Sequence, residues 1–132
     1  MLRKTEYVRK QCHFWPAQHG FDAWDVERLI ALSQALPIER VAVDAIAEVD
    51  SVYWFDDTDE MPTVRKVVEH ARLMSEVDVS LPIIQGPDGR VMDGMHRIAR
   101  AILEGRPEIA AVRFAALPEP DYRRCQPHEL PY

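Results

Sequence analysis

Five consecutive residues, Asp93-Gly94-Met95-His96-Arg97, place a carboxylate, a residue without Cβ, an imidazole and a guanidinium where an apolar run gives way to a helical pattern. The first amides of an α-helix have no partners inside it and point outward. A strand that passes through glycine straight into a helix therefore makes an anion-binding geometry. Gly94 lets the backbone approach a phosphate closely and take a positive φ. Met95 contributes backbone to the same turn, while His96 and Arg97 add side-chain donors, Arg97 through a fork that suits phosphate oxygens. Asp93 and His96 are the candidate catalytic groups, with helix capping as the ordinary alternative for Asp93.

Further candidates lie upstream. Thr63, Lys66 and His70 share one shoulder of a helical pattern, and Thr63 and Lys66 are candidate phosphate contacts. Tyr53, Trp54 and Phe55 offer either a base-stacking wall or core packing. The acids of Asp56-Asp57-Thr58-Asp59-Glu60 offer a base or a Mg²⁺ site, or simply a solvated turn. Cys12, His13, His19, Cys125 and His128 sit near the two ends of the chain, but their spacing matches no paired zinc motif.

The elements that position these residues follow from periodicity. The run from Phe21 to Leu32 predicts a helix with Phe21, Trp24, Arg28 and Leu32 near one face, Asp22 as its N-cap and an end before Pro37. Val41 to Ala45 predicts a short strand leading into a turn. From Thr63, the spacing of Val64, Val67, Val68, Ala71, Met74 and Val77 predicts an amphipathic helix, with Pro62 near its first turn. Leu81-Pro82-Ile83-Ile84, the turn Pro87-Asp88-Gly89 and Arg90-Val91-Met92 predict a hairpin. A helix from Met95 to about Glu104 should bury Met95, Ile98, Ala101 and Ile102 and stop at Gly105, with a last strand at Ala111 to Phe114.

This order of elements, with Asp93-Gly94-x-His96-Arg97 followed by Ala99 and Ala101, resembles the ParB/sulfiredoxin superfamily over residues 41–114. The resemblance implies nucleotide binding, with the phosphates of ATP, ADP or CTP on this turn, and Mg²⁺ as the accompanying ion. Sulfiredoxins carry a catalytic cysteine between the glycine and the histidine. Here Met95 stands in that place, and a thioether cannot attack a phosphoryl ester. Partition proteins of the superfamily add a helix-turn-helix domain for centromere DNA, and none is read here. A further branch phosphorylates free amino acids with a carboxylate base, a role for which Asp93 and the acids at 56–60 are candidates.

Composition sets the outer limits. The 132 residues are 47% hydrophobic, enough for one modest core, and predict a single α+β domain: a small mixed sheet with packed helices. An N-terminal helical extension over 1–37 and a Pro-rich C-terminal tail over 118–132 should flank the core at 41–114. With 16 basic and 22 acidic residues the net charge is -6, which opposes nonspecific DNA binding. No apolar leader or membrane-length run occurs, and two cysteines give no disulfide framework, so the expected compartment is the cytoplasm. Two functions follow as expectations: a nucleotide-dependent phosphotransferase or hydrolase acting on a small molecule, and a nucleotide-sensing or partner-binding module without turnover. A ParB-like nuclease or DNA-partition accessory ranks behind both.

Overall fold

The structure, a computed structural model, describes residues 12–16, 21–55 and 61–125. In chain order its regular elements are β1 (Cys12–Pro16), β2 (Phe21–Asp25), α1 (Val26–Ser33), β3 (Glu39–Ala42), α2 (Val64–Glu76), β4 (Ile83–Gln85), β5 (Val91–Asp93), α3 (Met95–Leu103), β6 (Glu108–Arg113) and β7 (Tyr122–Cys125). Short 3₁₀ turns follow β3 at Val43–Ala45 and Ala47–Asp50. The result is a small mixed α/β protein with two sheets. Its chain divides into two compact units, Met1–Ala35 with Leu117–Tyr132, and Leu36–Ala116.

In the first unit, β2 pairs antiparallel with β1 on one side and with β7 on the other. This corrects the helical reading of Phe21 to Asp25. Phe21–Asp25 is a strand because two neighbours satisfy its backbone, and pairing outweighs local helical periodicity. Ala23 and Trp24, adjacent in sequence, are both buried, which one face of a helix would not demand. The helix begins only after Asp25, whose carboxylate accepts the Glu27 amide at 3.0 Å, so Asp25 and not Asp22 is the cap. Within 118–132, β7 belongs to this sheet, the Trp24 indole donates to the Pro118 carbonyl, and Arg28 of α1 pairs with Asp121 at 3.1 Å.

The register sets Cys12 opposite Asp25 and Cys125 opposite Phe21, the two ends of β2. The backbone therefore keeps the cysteines apart, while His19 and His128 lie outside the described residues.

The second unit carries a four-stranded mixed sheet in the order β3-β6-β4-β5. β6 runs antiparallel to β3 and parallel to β4, and β4 and β5 form the expected hairpin. Central β6 buries Ile109, Ala110, Ala111 and Val112 in succession, the continuous apolar run of a strand covered on both faces. On one face Ile83, Val91, Ile109 and Ala111 meet Met95, Ile98 and Ala101 of α3, together with Val43 and Ile46. Gly105, at φ 72°, closes α3: its amide reaches Ile102 O, and the Arg106 amide reaches Ala101 O at 2.9 Å. Ile102 turns outward, 52% exposed, contrary to its expected burial.

α2 departs further from expectation. Its period is helical as read, and Thr63 caps it, yet it buries no residue. Val64 is 82% exposed and Val68 59%. Of the expected apolar stripe, Val64, Val67, Val68 and Ala71 thus face outward, while Met74 and Val77 join Lys66 and His70 on a half-buried edge.

Candidate phosphate site

β5 and α3 meet at Gly94, which has φ 111° and ψ 18° and serves as the N-cap of α3. A Cβ here would lie 2.7 Å from Ile83 Cγ2 and 2.8 Å from Arg97 Nη2, so both conformation and space call for glycine. The Arg97 and Ile98 amides turn back to the Gly94 carbonyl at 3.0 and 3.1 Å. No side chain caps the first turn of α3, so the amides of Met95 and His96 receive no capping acceptor from a side chain.

Asp93 does not cap the helix. Its carboxylate lies 3.1 Å from the Arg97 guanidinium, with both side chains mostly buried. The same Arg97 nitrogen donates to the Pro82 carbonyl at 3.3 Å, while Arg97 Nε is buried without a hydrogen-bond partner among the described residues. One nitrogen of the fork that the sequence assigned to phosphate, Nη2, thus ties β5, α3 and the residue before β4 together. Arg97 also reaches the space a Cβ at Gly94 would need, so the ion pair and the glycine depend on each other.

His96 has a partner that sequence reading missed. Its Nε2 lies 2.8 Å from Nδ1 of His70 on α2, and the two rings are close to coplanar, with centroids 5.1 Å apart and an interplanar angle of 17°. That separation is what two imidazoles show when the N–H of one points along the line to the nitrogen of the other. The lone pairs lie along one shared line, as a hydrogen bond requires, and do not converge on a third point as two ligands of one metal ion would. The Trp54 indole stacks on both rings, at 4.4 Å from His70 and 4.6 Å from His96, and Phe55 meets His70 edge-on. Burial, then the neighbouring charges of His70 and Arg97, push His96 down to about 4, so it is neutral at pH 7.

The aromatic run therefore has a specific use. Trp54 is a platform for the imidazole pair and also packs against the core. Tyr53 is pushed up to about 12 by burial, then by the charges of Glu48 and Asp93, and stays a protonated donor. Tyr53, Trp54 and Phe55 with Met95, Ile98 and Ala99 line an apolar cleft of about 240 Å³. Met95 belongs both to this cleft and to the glycine turn.

Of the upstream candidates, the Thr63 hydroxyl accepts the Lys66 amide at 3.2 Å and so caps α2. Lys66 stands one turn before His70 on the half-buried edge. The acids at 56–60 lie outside the described residues, and among those described no group of three His, Cys, Asp or Glu side chains could hold a metal ion. No described helix is long and apolar enough to cross a membrane.

No local signal links His70 to His96: the residues are 26 positions apart on different helices, and only the packing of α2 beside α3 joins them. Comparison with protein families, with curated proteins and with solved structures finds no match to this chain.

Proposed function

We propose that this chain binds a nucleotide, with its phosphates on the Gly94 turn at the start of α3 and its base against the apolar cleft that begins at Met95. The observation that carries this reading is the uncapped first turn of α3 behind a glycine at φ 111°. Open amides at a helix start form a preorganised site for a phosphate, and neutral His96 beside them supplies a further hydrogen-bond contact. The adjoining 240 Å³ cleft is of a size for a ring and not for a whole nucleotide, which leaves sugar and phosphates outside it. The resemblance of Asp93-Gly94-x-His96-Arg97 to ParB/sulfiredoxin turns points to ATP, ADP or CTP, with Mg²⁺. A net charge of -6 weighs against DNA as the partner.

Binding without turnover is favoured over phosphotransfer to a small molecule by one contact, the Arg97 guanidinium on Asp93. A carboxylate held in this way faces Arg97 and not an acceptor hydroxyl. A thermal-shift panel of ATP, ADP, CTP and GTP with Mg²⁺ tests binding: a ligand at 100 times its Kd stabilises the folded state by about 2.7 kcal/mol. Absence of a shift with every nucleotide would sink the reading. Turnover of a hydroxylated substrate that disappears in Asp93→Asn while binding persists would restore the phosphotransferase.

A further inference from the structure

Four apolar residues of α2, Val64, Val67, Val68 and Ala71, are exposed together on a helix that buries none of its residues. Single exposed apolar side chains are ordinary on a protein surface, but a contiguous stripe at helical spacing is the pattern of a face that another element covers. At about 100° per residue, Arg65, Glu69, Arg72 and Glu76 fall in a second stripe along one flank of the first. Neither stripe is the edge by which α2 meets α3. That edge holds His70, beside His96, and Met74, whose carbonyl accepts Arg100 of α3 at 3.2 Å. Covering the apolar stripe therefore leaves the packing of α2 on α3 in place.

We propose that the outward face of α2 pairs with the same face of a second copy of this chain, the two helices antiparallel about a two-fold axis. The charged flank selects this occupant. Its order along the helix is basic, acidic, basic, acidic, and Glu69 with Arg72 and Arg65 with Glu76 are both symmetric about the point midway between His70 and Ala71. Antiparallel packing on the apolar stripes brings the same flank of each helix together. Glu69 of one copy then meets Arg72 of the other and Arg65 meets Glu76, and the two-fold axis makes each contact twice. A parallel pair would set the charged flank against the other side of the second helix and lose these contacts. Among the described residues none of the four charges is in an ion pair, although Arg65 with Glu69 and Arg72 with Glu76 have the i,i+4 spacing for one. The 13 residues of α2 extend about 20 Å, less than a permanent interface needs, so the pairing is weak and concentration-dependent.

Sedimentation equilibrium of the full chain from about 10 μM to about 1 mM tests the pairing, and the average mass should rise from one chain towards two. Glu69→Arg sets two guanidinium groups against each other at both symmetric contacts, and Arg72→Glu does the same with two carboxylates. Each variant alone should associate more weakly than the wild type by about tenfold or more. Mixed in equal amounts, the two variants restore opposite charges at both contacts, so the mixture should associate about as well as the wild type and weaken as salt is added. Both substitutions exchange exposed residues for good helix formers, and thermal unfolding checks that each variant folds. Should either not fold, Val68→Ser takes its place: it keeps all four charges, removes apolar area from the stripe and should also associate more weakly. A wild-type mass that stays at one chain throughout, undiminished association of any of these variants, or a mixture that associates no better than its separate components overturns the proposal.

Discussion

The N-termini of α2 and α3 lie in one compact unit and solve the same problem in opposite ways. At α2 the Thr63 hydroxyl accepts the Lys66 amide, so the helix start is closed by its own cap. At α3 the cap position holds Gly94, no side chain closes the first turn, and the carboxylate immediately before it is drawn away by Arg97. A capped end is a structural terminus. An open one, kept open by a residue that cannot be exchanged for alanine without a clash, is the feature on which the proposed phosphate site rests. Closing the open end and opening the closed one should therefore have very different effects.

The largest effect belongs to Gly94→Val. It forces a β-branched residue to φ 111° and drives a Cβ into Ile83, so we expect a loss of about 3 to 4 kcal/mol in urea unfolding. A loss under 1 kcal/mol would mean that the turn relaxes and that glycine is not required there.

Acid comes next. His13 and His96 each have a folded-state value near 4 against 6.5 in the free side chain. The unfolded chain thus binds protons that the folded chain refuses, so stability is full above about pH 6.5 and falls on acidification towards pH 4. Each histidine contributes up to about 3 kcal/mol of that fall. His96→Gln should remove its share of the slope in unfolding midpoints measured from pH 4 to 7. An unchanged slope would place the pH dependence elsewhere.

Arg97→Ala should cost about 2 kcal/mol by stranding the mostly buried Asp93 carboxylate, and Arg97→Ala with Asp93→Ala should recover part of it. Phosphate affinity should fall less than in Gly94→Val, because the guanidinium serves the turn from behind. The smallest effect is Thr63→Ala, about 1 kcal/mol through loss of the α2 cap, with ligand affinity unchanged. A large drop in nucleotide affinity there would make the Thr63 hydroxyl a ligand contact and erase the contrast between the two helix ends.

What could be read from sequence was whatever is written in consecutive residues. The β4–β5 hairpin, the glycine between β5 and α3 and the stop at Gly105 all come from local turn chemistry and short-range period. What could not be read depends on distant pairing. Phe21–Asp25 has a helical apolar spacing and becomes a strand because β1 and β7 flank it, although Asp25 followed by Val26-Glu27 is itself a cap signal. The proximity of Arg97 to Asp93 follows an i,i+4 spacing visible in sequence, yet its consequence, that Nη2 of the guanidinium is taken up by Asp93 and Pro82, appears only in three dimensions. The His70–His96 pair carries no sequence signal at all.

The outward face of α2 has a consequence for how the molecule breathes. A helix that buries none of its residues is held by its polar edge: the His70–His96 bond, and Arg100, whose guanidinium donates to the Met74 and Ser75 carbonyls at 3.2 and 2.9 Å. Such an element opens at lower free energy than β6, whose four consecutive buried residues detach only when the core does. Amide hydrogens of α2 should therefore exchange with solvent well before those of β6. Each opening would carry His70 away from His96, so slower exchange in α2 on adding ligand would report engagement of the imidazole pair from a distance.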